Sequence, residues 1–328
     1  MPDATPPGHN LSVSLPDAGE LVPVLDELVD MAWEPGWGPA ALARLVQLCG
    51  TLKQSLPPAA WQLARAEMLG HPLHRLMQED PLIRAAQEMA GRPGLLPLLQ
   101  DLLLRHEAVR DRIGQASRAG RDLFEATTAL GHFSALRGQT AFLARVIDAV
   151  LERHPGAEIL SLGAGHLREA ALLAEPGKLG RWVAQEADNG VIATLRKGLP
   201  PGIPLRSLRC NLSYFVRKPY LRGCFDLILL PDLPGCGAAP WLRELVDSAF
   251  AALKPGGLLL LGSAGPAPPE AAWMEVFLGL RPCWRTAEEM STLLAAAPET
   301  EAWRPRVFHG SGGGPGGQRL YAMVERRR

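Results

Sequence analysis

The chain has 328 residues, with 34 Lys+Arg against 34 Asp+Glu and a formal net charge of zero. That length allows one large domain or two ordinary ones, and the balanced charge argues against a nucleic-acid binder driven by phosphate attraction. The N-terminus lacks a basic segment followed by an apolar core, and no apolar run approaches the roughly 20 residues that span a bilayer; five scattered cysteines with no CxxC pair argue against a disulfide framework and a zinc site, and fit a reducing cytoplasm.

Residues 1–16 read as a leader of proline and small polar residues. Residues 17–150 read as an all-α region. Leu21, Val24, Leu25 and Leu28 have helical apolar spacing, as do Leu42, Leu45, Val46 and Cys49. Pro57-Pro58 interrupts, and residues 59–68 resume the pattern. His71-Pro72-Leu73 and Asp80-Pro81-Leu82 read as helix starts, with proline in the first turn. Residues 95–104 form an apolar helix after a Gly91-Arg92-Pro93-Gly94 turn. Phe142, Val146, Ile147 and Val150 mark one face of a longer helix that ends at His154-Pro155-Gly156. Trp33 and Trp37 are expected in the core or at an interface between regions. No internal repeat is found.

The texture changes in residues 151–328. Short apolar runs at 158–162, 182–185, 205–208, 225–230 and 258–262 alternate with helical segments at 168–173, 189–196 and 240–253. Strands alternating with helices predict an α/β fold with a mostly parallel sheet covered on both faces. Residues 303–308 and 320–324 read as two final strands. The glycine-rich link 310–317 is too short for a helical crossover, so that pair should be antiparallel. The terminal Arg326-Arg327-Arg328 reads as a solvated tail.

The most informative stretch is AEILSLGAGHLREA, residues 157–170. An apolar run ends in Gly163-Ala164-Gly165, and a helix is expected over 167–174. Strand, glycine turn and helix make the local grammar of a nucleotide-type cofactor site, with glycines for close approach and the first helix amides facing the ligand. By itself Gly-x-Gly also serves purely geometric turns. Three later features decide. An acidic residue, Glu186 or Asp188, stands about 20 residues on, where a ribose diol would be gripped. Phe225-Asp226-Leu227-Ile228 and Leu253-Lys254-Pro255-Gly256-Gly257 then follow in order. This order resembles a class I S-adenosylmethionine (SAM)-dependent methyltransferase, whose seventh strand runs against the others. The resemblance implies a Rossmann-like sheet, SAM as cofactor, no metal, and a small-molecule acceptor. A dinucleotide fingerprint would want glycine at Arg168, so a pyrophosphate site is disfavoured.

A narrower resemblance spans roughly residues 68–324. Leu160-Ser161-Leu162-Gly163-Ala164-Gly165-His166-Leu167-Arg168-Glu169 is similar to an "LSxGxGxxRE" loop. His71-Pro72-Leu73, Asp80-Pro81 and Arg84 match an upstream "HPL…DP…R" segment. Gly262-Ser263, Pro268-Pro269, Met274-Glu275 and residues 284–289 resemble a "GN…P…ME…YRT.EEL" segment. Together they resemble the bacterial methyltransferases of extracellular factor (3-hydroxypalmitic acid methyl ester) biosynthesis. That implies a helical region capping a SAM-binding domain, and an acyl or other small-molecule carboxylate as acceptor. There are departures. Aligning the strands puts Ala184 where those relatives carry an aspartate at the tip of the second strand, with Gln185 and Glu186 after it. The segments expected after Arg84 and after the fourth strand are replaced by Gly91-Arg92-Pro93-Gly94 and by Pro231-Asp232-Leu233-Pro234-Gly235-Cys236.

Gly163, Ala164, Gly165, Arg168, Glu186, Asn211 and Asp232 are therefore the expected cofactor contacts, and Asp232, Glu275 and Arg285 the candidate catalytic residues. Each has a plainer alternative. Arg168 and Glu169 could be an exposed helix-start pair, and Asn211 a turn cap. Asp232 could be a turn residue, and Glu275 and Arg285 a structural ion pair. His166 reads as a packing or cofactor-lining residue, Asp226 as a strand-edge residue, and Arg137 and Arg145 as surface. Methylation of an ionised carboxylate needs no strong base, so the lack of an evident one is compatible with ester formation. The competing reading is a methyltransferase-like subunit or scaffold that acts through protein contacts. Oligomeric state, homo- or hetero-oligomeric, is left open.

Overall fold

The computed structural model describes residues 21–34, 36, 38–217, 221–235, 240–295, 306–310 and 319–326. The leader, Trp37, Cys236, Trp303, most of the glycine-rich link, Arg327 and Arg328 lie outside these residues, as does the side chain of Trp33.

Among the described residues, nine α-helices precede the first strand: α1 (Leu21–Trp33), α2 (Gly38–Ser55), α3 (Pro58–Gly70), α4 (Pro72–Met77), α5 (Pro81–Glu88), α6 (Leu95–Leu103), α7 (Arg110–Gly114), α8 (Arg118–Ala129) and α9 (Gly131–Arg153). The proline starts work as their chemistry dictates. His71 caps α4, its ring Nδ1 accepting from the Leu73 amide at 3.2 Å, and Asp80 caps α5, accepting from the Leu82 amide at 2.7 Å. In both helices proline follows at the first position, where no amide is needed.

The strands are β1 (Ala157–Leu162), β2 (Leu179–Glu186), β3 (Leu205–Arg209), β4 (Phe225–Leu230), β5 (Leu253–Ala264), β6 (Arg306–His309) and β7 (Arg319–Glu325). Their order is β3-β2-β1-β4-β5-β7-β6. β1 to β5 pair in parallel, and β7 is antiparallel to both β5 and β6. Between them lie α10 (Asn189–Gly198), α11 (Leu212–Val216), α12 (Pro240–Ala252), α13 (Ala271–Trp273) and α14 (Ala287–Ala295). This is the α/β arrangement expected from the sequence, reversed strand included.

The strand period sorts the core. Leu160, Leu162, Ile228, Leu230, Leu259 and Leu261 pack against α12 and α14 on one face. Ile159, Leu227, Leu229 and Leu260 pack against Leu143, Ile147 and Leu151 of α9 on the other. A third apolar cluster fills the helical region. It is completed from the far side of the sequence by α13 and the π-helical turn Met274–Leu278 that continues it, through Trp273, Val276 and Phe277.

Candidate active site at the carboxyl end of the sheet

β1 delivers the chain to the carboxyl end of the sheet, where the crevice of an open α/β sheet lies. Gly163 and Gly165 sit at φ +62° and +58°, the left-handed region that glycine enters without strain. Their surroundings differ. A Cβ on Gly163 would meet nothing within 4 Å, whereas one on Gly165 would touch Pro97 Cγ of α6 at 3.4 Å. The turn's amides are occupied from β2. The Gly163 amide donates to Gln185 Oε1 at 2.9 Å, Ala164 to the Gln185 carbonyl at 3.0 Å, and Gly165 to Glu186 Oε2 at 3.3 Å. Gln185 also donates its side-chain amide to the Cys210 carbonyl, which ties the turn to the end of β3.

The helix expected over 167–174 does not form. Leu167, at φ +49°, is left-handed and packs into the core beneath α9, and only a 3₁₀ turn, Arg168–Leu172, follows. A left-handed leucine is costly and cannot lie within an α-helix. The glycine turn is therefore not followed directly by a row of α-helix amides.

Arg168 is neither exposed nor directed at a ligand carboxylate. It is 6% exposed, and its Nε and Nη2 donate to the two oxygens of Asp101 at 2.7 and 2.8 Å. His166 Nδ1 lies 2.9 Å from the same carboxylate. Burial pushes the Asp101 carboxyl up, but the hydrogen bonds and charges of Arg168 and His166 outweigh it and hold it at about 2. Glu169 is buried with no side-chain donor among the described residues, and burial pushes its carboxyl up to about 7, tempered by its own backbone amide.

β2 runs one residue further than the apolar run suggests. Its tip is Glu186, and Ala184 is a core residue beneath it, opposite Ser161 of β1. The tip position, which lining up the strands had given to Ala184, belongs to Glu186. Glu186 Oε1 also accepts from the Ala187 amide at 2.8 Å. Asp188 caps α10, accepting from the Val191 amide at 2.9 Å, and Asn211 caps α11, accepting from Tyr214 at 2.7 Å. The turn-cap role of Asn211 is therefore present, and the residue is exposed.

Asp232 stands just past β4, half-exposed. It accepts from buried Arg319 of β7 at 2.5 Å and lies 3.4 Å from Gln139 Nε2 of α9. Arg319 also donates to the Pro231 carbonyl. Arg285 is buried and holds the same loop, donating to the Leu233 and Gly235 carbonyls and to Ser263 Oγ. Glu275 does not pair with Arg285. It accepts from Trp61 Nε1 at 3.0 Å and pairs with Lys53 at 3.2 Å and Arg281 at 3.0 Å, joining the π-helical turn to α2 and α3. Asp226 accepts from the Glu158 amide and from Lys254 at the opposite end of the sheet, and Arg137 and Arg145 are exposed.

The geometry thus gathers Gly163, Gly165, Glu186 and the loop carrying Asp232 at one end of the sheet, and places Glu275 within the helical region. Asp101, Gln139, Gln185 and Arg319 were not singled out from the sequence. Gln185 follows Ala184 directly, but its role depends on a contact with the glycine turn 22 residues away. Among the described residues no group of three or more His, Cys, Asp or Glu could hold a metal ion, and no helix is long and apolar enough to cross a membrane.

No family model matches the chain, and no curated protein matches it. Solved structures do. A possible exported protein from Bordetella parapertussis is similar at a TM-score of 0.55 and 17% identity, over 94% of this chain and 97% of that one. The CurJ carbon methyltransferase is similar at a TM-score of 0.51 and 14% identity, over 94% and 98%. At these identities the likeness establishes the fold. It is that of a class I methyltransferase, and the coverage extends through the helices before the sheet.

Proposed function

We propose that this chain is a SAM-dependent methyltransferase acting on a small-molecule acceptor. The observation that carries the reading is the pairing of an open, left-handed Gly163 after β1 with a carboxylate, Glu186, at the tip of neighbouring β2. That is a cradle that a side chain would fill, beside an acceptor suited to a ribose diol. The residues present fit the cofactor. Glu186 would hold the ribose, the Gly163 face would admit the methionine portion, and the Asp232 loop would border the reacting end. SAM supplies an electrophilic methyl group on a sulfonium. The chain's own part is alignment and exclusion of water. Arg285 and Arg319 fix the loop that carries Asp232.

The acceptor is proposed to be an acyl or hydroxy-acid carboxylate, giving a methyl ester. The narrower sequence resemblance supports this, and so does the chemistry: a carboxylate is ionised at neutral pH and needs no base to attack. Asp232 is the candidate that borders the transfer. The cytoplasmic location belongs to the same proposal.

One observation favours the second reading, a methyltransferase-like subunit acting through protein contacts. The amides of Gly163, Ala164 and Gly165 are already bonded to β2, so a cofactor would meet few unpaired donors there. Calorimetry with SAM separates the two. The enzyme reading expects saturable micromolar binding that is lost in Glu186→Ala and Gly163→Val; absence of binding at millimolar SAM would sink it.

A further inference from the structure

We infer that Asp101, on α6 of the helical region, is a positioning residue for the cofactor turn, so that the helical region forms part of the SAM site; this rests on the reading just proposed. Asp101 makes two hydrogen bonds to Arg168 and one contact to His166, on both sides of left-handed Leu167. All three side chains are at most 8% exposed. Bidentate carboxylate–guanidinium pairing fixes direction as well as distance. The same helix presses Pro97 on Gly165, brings Gly94 against Val191 of α10, and receives Thr140 of α9 through Gln100 at 3.0 Å. Gly198, the last residue of α10, leaves the space that Arg168 fills: a Cβ there would stand 2.4 Å from Arg168 Nη1.

The conformation of residues 163–168 is not one that the segment would choose by itself. Leucine avoids the left-handed region, and such a residue persists only where its surroundings over-determine it. β2 holds the segment through Gly163, Ala164 and Gly165. On the far side of Leu167, α6 holds it through one carboxylate. Without that charge Arg168 would be a buried cation with no anion, and Leu167 would be free to relax into an ordinary helical start. The Gly163 face would move with it. Asp101 touches neither cofactor nor acceptor; it acts through the turn.

The test uses the full-length chain with Asp101→Asn, titrated with SAM and with S-adenosylhomocysteine, and hydrogen exchange of the amides of residues 163–168. Asp80→Ala, which removes a buried cap of α5 with no contact to the turn, controls for lost stability. Asp101→Asn is expected to weaken SAM binding by about ten-fold or more, as loss of an outer partner does at other preorganised sites, and to speed exchange across the turn. Asp80→Ala should lower the melting temperature with affinity within about two-fold. Arg168→Lys, which keeps the charge but loses the fork, should fall between, and it supplies the test should Asp101→Asn not fold. A folded Asp101→Asn that binds as the parent does and exchanges as slowly overturns the inference. A parent that binds no SAM overturns the proposed function instead, and the exchange comparison then decides the role of Asp101 by itself.

Discussion

At the amino end of the sheet, Glu158, Arg181, Asp226 and Lys254 form a ladder of partly exposed charges across β1, β2, β4 and β5. Past the carboxyl end of β1, Asp101, His166 and Arg168 form a cluster that water scarcely reaches. Both sets are built from the same chemistry, carboxylates facing cations. They differ in what surrounds them. Exposed pairs gain little, because water and salt screen them and long side chains lose freedom. A buried pair has lost its hydration already, so either member left by itself is strongly unfavourable. The amino-end ladder trims strand ends that the apolar core already holds. The carboxyl-end cluster sets the shape of a turn.

Breaking the buried cluster should have the largest effect. Arg168→Ala leaves Asp101 buried with only His166 beside it and is expected to cost about 3–5 kcal/mol in urea unfolding. Replacing both partners by apolar residues, as in Asp101→Leu with Arg168→Met, should recover much of that stability without recovering SAM binding. That outcome would separate the worth of the pair to the fold from its worth to the turn.

The next effect depends on pH. The Glu169 carboxyl, raised by burial to about 7 from an ordinary 4.5, binds more protons in the native than in the unfolded chain between those values. Native stability therefore falls as pH rises through that window and levels off above it. Glu169→Gln should remove the fall, adding on the order of 2–3 kcal/mol at pH 8 and nothing at pH 4. His132 works the other way. Burial, and secondarily the charge of Arg319, hold its ring down to about 3 from 6.5, so its contribution rises with pH across that range. The Glu169 effect is thus read as the difference between variant and parent at each pH, by denaturant titration.

Gly198→Ala sharpens the comparison from the other side of Arg168. The added Cβ meets a guanidinium that Asp101 does not allow to swing away, and about 1–3 kcal/mol of overpacking is expected, with weakened SAM binding. The smallest effect belongs to the amino end. Lys254→Met should cost less than about 1 kcal/mol, and the cost should shrink further in high salt.

Much of the fold was legible because it is written in local patterns. The proline starts at Pro72 and Pro81, the apolar runs of β1 and β4, the Pro255-Gly256-Gly257 entry to β5 and the final antiparallel pair each announce themselves within a few residues. The candidate site was legible only as far as it is local. Gly163, Gly165 and Glu186 stand where the pattern puts them. Asn211 takes the turn-cap role that was its plainer alternative. Arg168 was noticed, but its partner was not foreseen: Asp101 lies 67 residues before it, on a helix that reads from sequence as a leucine stripe. Leu167 gave no sign of its left-handed backbone, because leucine is a good helix former and what holds it there, burial and the contacts on either side, is set by residues distant in sequence. Glu275 and Arg285 looked like a pair in sequence and are held instead by separate partners.

The π-helical turn after α13 bears on how the chain reaches this state during synthesis. Trp273 and Phe277 are fully buried among side chains of the first nine helices, yet they follow β5. When α9 has left the ribosome, the helices before it still lack the residues that fill their centre. Their apolar faces stay exposed until most of the sheet has been made, so the first half of the chain cannot finish folding ahead of the second. A fragment ending at Arg153 is expected to be helical but expanded, binding hydrophobic dyes, and to tighten when a peptide of residues 270–280 is supplied in trans.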